Sequence, residues 1–191
     1  GDFRTVFKVC RQAGRHTRRL EKARREVEAA LEDMERSRIR AAEAAADERA
    51  GKMETEIKRL LKKIGKFPAL ADRYQKEVEA LSEDSRSARG EERREGMEPQ
   101  ASETMDMELA AYQSVEEAAR EFQGRCQEMK DQLEAEAVRL EEISELLEKG
   151  GDEEHEENGE EDETGPDWDQ IQELMDMVQI PEAAVQEPVD Q

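Results

Sequence analysis

Two histidines, His16 and His155, and two cysteines, Cys10 and Cys126, are the residues of this chain best suited to nucleophilic, general-base or metal chemistry. Their spacing argues against all three. An activated nucleophile needs a base within hydrogen-bond reach and a third group to orient that base. His16 instead falls on the apolar-periodic face of a helical stretch, where a histidine packs, and His155 stands inside an acidic run. The two cysteines are too far apart to form a zinc-ligand motif. Used so sparsely, they read as small hydrophobes of a reducing, cytoplasmic compartment. Paired carboxylates abound, but on solvated helix faces nothing shifts them toward acid–base work. No glycine-rich phosphate loop occurs. The expectation is a protein without catalytic residues, metal or cofactor.

The composition explains why chemistry is scarce. Of 191 residues, Leu, Ile, Val and Phe make up 31, and there are only seven aromatics. That is too little apolar volume for a globular interior of this chain length. Ala, Glu, Lys, Leu and Arg together exceed half the chain, the mark of long helices and coiled coils. The net charge of −21 is graded along the chain: residues 1–66 carry 19 basic and 12 acidic side chains, residues 152–191 none and 16. The acidic half would be repelled by phosphate, so no nucleic acid is expected as a partner. No run approaches a membrane span and no signal peptide is seen. The chain opens Gly1-Asp2-Phe3 without Met, as a fragment or processed form would.

The fold class expected is all-α: long coiled-coil helices, arranged as an antiparallel helical hairpin or an extended rod, with a disordered acidic C-terminal tail. Residues 1–88 read as one long basic helix without proline before Pro68. Its seam runs through Leu20, Val27 and Met34, slips in phase near Ile39, and resumes through Ala46, Met53, Ile57, Leu60 and Ile64. Between Ala41 and Ala50 the seam is nearly all alanine and buries little area, which marks a weak stretch. Lys62-Lys63-Ile64-Gly65-Lys66-Phe67-Pro68 carries helix-stop signals. The heptad phase nevertheless crosses it, which favours a kinked helix near 65–68 over a tight reversal. The apolar pattern fades from Ser82, and residues 89–101 are read as a loop. Residues 102–149 form an acidic helix whose seam holds Tyr112, Val115, Phe122, Met129, Leu133, Leu140, Ile143 and Leu147, interrupted only by Glu108 and Glu136. In the hairpin arrangement Lys58, Arg59, Lys62 and Lys63 would face acids of this helix. About 35 N-terminal residues would then lack an internal partner.

Two further segments suggest partners. Arg4, Lys8, Arg11, Arg15, Arg18 and Lys22 recur at 3–4 spacing beside a face bearing Phe3, Val6, Phe7, Cys10 and Ala13. Such a stripe suits a partner helix, an anionic membrane surface or an acidic protein surface. Residues 150–165 are a disordered acidic linker, with nine acids among residues 152–164. It leads to a short amphipathic helix over 166–180 and a disordered tail over 181–191. Trp168, Ile171, Leu174, Met175 and Val178 share one face of that helix. So short a helix is unstable alone, so it must dock, either on another protein or on its own chain. Docking on another protein is the favoured expectation.

The order of charge, with the short helix followed by Ile180-Pro181-Glu182 and Glu187-Pro188-Val189, resembles that of ESCRT-III-type membrane-remodelling subunits. The resemblance lies in charge order and position and implies a basic N-terminal helix on an anionic membrane. A BAR-like curved dimer is a weaker likeness. The expected function is a non-enzymatic coiled-coil scaffold or assembly subunit of a larger cytoplasmic complex, cytoskeletal or trafficking. It would pair with other coiled-coil proteins or with itself. A further alternative is an acidic-tail binder of basic proteins such as histones, with Trp168 as aromatic anchor.

Overall fold

The computed structural model describes residues 2–94, 99–153 and 165–183. The chain is all-α, and the described residues hold no strand. Four helices follow in order: α1 Asp2–Ala46, α2 Ala50–Arg94, α3 Pro99–Glu153 and α4 Trp168–Met177. Two units divide them. The first comprises residues 1–27 and 69–127; the second comprises residues 28–68 and 128–191.

One long helix over 1–88 is not what forms. The helix ends at Ala46, and Asp47-Glu48-Arg49 reverses the chain. Glu48 N–H donates to Ala45 C=O at 3.1 Å and Arg49 N–H to Ala44 C=O at 2.9 Å. That pair of bonds is a Schellman closure, which satisfies carbonyls left orphaned at a helix end. Its left-handed position is held by Glu48, with φ 52°, where glycine is the usual occupant. The glycine signal was missing, so the sequence pattern passed over the break. Conversely, the stop signals at Gly65 and Pro68 do not end α2, which runs through Pro68. Ile64 and Phe67 on either side of Gly65 are buried, and burial of that face outweighs the hydrogen bond a proline removes. Of the loop expected over 89–101, residues 89–94 belong to α2 and residues 99–101 to α3, and residues 95–98 lie outside the described residues.

In the first unit, α1 and α2 run antiparallel: His16 meets Asp84 and Glu26 meets Arg73. The third helix completes the core. Tyr74 of α2 sets its ring edge-on to Phe122 of α3, with centroids 4.8 Å apart, and the Arg24 guanidinium of α1 lies 4.4 Å from the Phe122 centroid. Leu20 and Val27 are buried in this unit, as are Val78, Leu81 and Cys126; Val115 is half-buried. From His16 onward the first helix therefore has internal partners.

In the second unit, Lys63 of α2 reaches across to α1. It pairs with Asp33 at 3.1 Å and donates to Ser37 Oγ at 2.7 Å. Lys58 and Arg59 pair with Glu54 and Glu56 on their own helix, so none of these three bases faces an acid of α3. Met34, Ile57, Leu60 and Ile64 are buried, as are Met129, Leu133, Leu140, Ile143 and Leu147. The phase across residues 34–46 differs from the expected one. The buried line runs Met34, Ser37, Ala41, Ala44 and Ala45, whereas Ile39 is 42 % exposed and Ala46 is exposed.

Candidate functional site

Three arrangements in the two units gather the residues that chemistry or recognition would use. The first is polar and part-buried. His16 is 4 % exposed, with Nε2 hydrogen-bonded to Asp84 Oδ2 at 2.6 Å. Its ring lies 6.3 Å from that of Tyr112, so α1, α2 and α3 each supply one member. His16 Nδ1 and the Tyr112 hydroxyl are buried without a protein partner. Burial, with Asp84 and Glu116 nearby, pushes the Tyr112 phenol up to about 12. Cys126 is buried and free, and burial pushes its thiol up to about 11, against the pull of Arg125 and Arg24. A thiol raised in this way is a poor nucleophile. The described residues include no group of three or more His, Cys, Asp or Glu placed to hold a metal ion. His155 and the side chain of Cys10 lie outside the described residues.

The second arrangement is the short amphipathic helix, which packs on its own chain. Pro166 and the N-cap Asp167, whose carboxylate accepts from Gln170 N–H at 3.2 Å, start α4. Ile171, Met175 and Val178 are at most 2 % exposed, while Trp168 and Leu174 are only half-buried. Ile171, Met175 and Val178 are therefore covered by the chain itself, while Trp168 and Leu174 keep part of their surface in solvent. Gln172 Nε2 donates to Ala45 C=O at 2.8 Å, placing α4 over the alanine-lined end of α1. Small side chains there let the helix approach closely, so the stretch expected to be weak is a packing face.

A latch holds the far end of α4. Glu136 is 4 % exposed and pairs with Arg139 one turn on. Its other oxygen accepts the Gln179 backbone N–H, and Arg139 donates to Met177 C=O at 3.1 Å. The carbonyl orphaned at the α4 terminus and the first free amide beyond it are thus both satisfied. Past the latch, Ile180, Pro181 and Ala183 line a groove of about 280 Å³ with Leu31 and the acids Glu28, Glu32, Glu35 and Glu182. Glu136 was visible in sequence as a break in the α3 frame; its partner Gln179 was not.

The third arrangement is the basic face of α1. Arg11, Arg15, Arg18 and Lys22 are exposed as expected, and Arg19 joins them. The side chains of Arg4 and Lys8, with those of Phe3, Val6 and Phe7, lie outside the described residues. A shallow cavity of about 190 Å³ beside this face is lined by Arg19, Lys22, Ala23, Glu26, Arg73 and Glu77. Glu26 is engaged by Arg73 at 2.6 Å. Among the described residues, Arg15, Arg18, Arg19 and Lys22 make no ion pair with an acid of the chain.

Compared with protein families, curated proteins and solved structures, the chain matches none of them.

Proposed function

We propose that this protein is a non-enzymatic helical assembly subunit that binds its partners through the charged faces of its long helices. One observation carries the proposal: among the described residues, Arg15, Arg18, Arg19 and Lys22 of α1 are exposed without an acidic partner, while the long apolar lines of α1, α2 and α3 are buried. A surface of that kind contributes steering and orientation on encounter with an oppositely charged partner. Burial at 3–4 spacing along α3 supports coiled-coil packing as the structural mode. The groups capable of chemistry support a binding role too, because the buried His16 is paired with the half-buried Asp84 and Cys126 is buried.

Cross-linking mass spectrometry of the native assembly tests this. Lys22 is expected to link to another chain, alongside intramolecular links from Lys63. Intramolecular links without any intermolecular link from the basic face would refute it.

A second reading, attachment to an anionic membrane surface, is favoured by the same exposed face. No described helix is long and apolar enough to cross a membrane, so this reading concerns the membrane surface. Co-sedimentation with phosphatidylserine vesicles at low salt, lost on Arg15→Glu with Arg18→Glu, is its expected signature. No sedimentation at low salt removes it.

A further inference from the structure

The basic face of α1 has a counterpart on α3. In the second unit Glu141, Glu145 and Glu148 are exposed, and none forms an ion pair with a base among the described residues. Their spacing along the helix is four then three residues. On α1, Arg15, Arg18 and Lys22 are spaced three then four, which becomes four then three when the helix is read in reverse. Each triplet occupies one face over two turns, roughly 10 Å of helix. Set antiparallel, the two rows bring Lys22 to Glu141, Arg18 to Glu145 and Arg15 to Glu148.

We infer that the occupant of the basic α1 face is a second copy of this chain, which presents its acidic α3 face in antiparallel register. This rests on the assembly reading above and names its partner. Every copy carries one triplet of each sign, so the contact joins unlike surfaces and the same contact repeats from copy to copy. No apolar patch is required, in keeping with the covered cores of both units. The contact is electrostatic and solvent-exposed, so it weakens as the screening length drops from about 10 Å at 0.1 M salt toward about 3 Å at 1 M.

Sedimentation velocity of the full chain at 50 and 500 mM NaCl decides the matter. The mass at 50 mM is expected to rise with protein concentration to at least twice 21.9 kDa, and to return to that monomer mass at 500 mM. Arg15→Glu/Arg18→Glu/Lys22→Glu and, separately, Glu141→Lys/Glu145→Lys/Glu148→Lys are each expected to stay monomeric at 50 mM. An equimolar mixture of the two variants is expected to associate again, because each then offers the other a complementary row. Circular dichroism verifies that both variants keep wild-type helicity, as substitutions at exposed positions should. A wild-type chain monomeric at both salts, or association unchanged by the α1 reversal, overturns the inference. Intermolecular links from Lys22 to a different protein would leave the assembly reading standing without it. Vesicle binding by a chain that remains monomeric overturns it as well and gives the face to a membrane.

Discussion

The carboxylate of Glu136, buried on α3, accepts the backbone N–H of Gln179, 43 residues further along the chain. A charged residue in the middle of an apolar frame is costly unless its oxygens are satisfied. Here Arg139 and Gln179 satisfy both, and the break in the frame becomes the anchor of the C-terminal segment.

Replacing Glu136 by Ala leaves the Gln179 amide without its acceptor and Arg139 without its counter-charge. The expected cost is about 1–3 kcal/mol, felt where α4 meets the second unit. Hydrogen exchange is the measurement: amides of residues 171–179 should exchange faster while those of α1 from 20 to 27 keep their protection. Equal protection at 171–179 in variant and wild type would show that the latch contributes nothing.

Ile171 has no exposed surface. Ile171→Ala should destabilise the docked α4 by about 2–4 kcal/mol. Met177→Ala, at a position 52 % exposed, should change stability little. Thermal unfolding of the two variants side by side separates a packed helix from a loosely attached one.

Glu48 occupies a left-handed conformation with φ 52°, which costs a side-chain-bearing residue roughly 1 kcal/mol. Glu48→Gly relieves that strain, and a gain of up to about 1 kcal/mol in a urea unfolding curve is expected. A loss would mean that the glutamate side chain stabilises the turn by more than the backbone strain it imposes.

Burial pushes Tyr74 and Tyr112 up to about 12 from an ordinary value of 10.0. A fold that favours the neutral phenol is fully stabilised by it below pH 10, and this contribution is lost as pH rises toward 12. Tyrosinate absorbance should therefore lag behind that of the urea-unfolded chain between pH 10 and 12. Cys126, pushed up to about 11 and buried, should resist a thiol reagent at pH 8 in a Cys10→Ser background until urea is added. Rapid labelling of the folded protein would contradict its placement.

The sequence alone determined the helical class and the buried line of α3, because an apolar residue every three to four positions has one low-energy solution in water. It also determined the exposure of Arg11, Arg15, Arg18 and Lys22 on α1, since a column of cations is not readily buried. Only the tertiary structure decided where the chain turns, because a Schellman closure with Glu48 in glycine's place carries no compositional mark; the passage of the helix through Pro68 was already legible in the apolar phase that crosses it. It alone decided the fate of α4 as well. Whether an amphipathic helix covers its own chain or a stranger's depends on the surface available, here the alanine end of α1 and the Glu136–Arg139 pair, and that surface exists only once distant segments have come together.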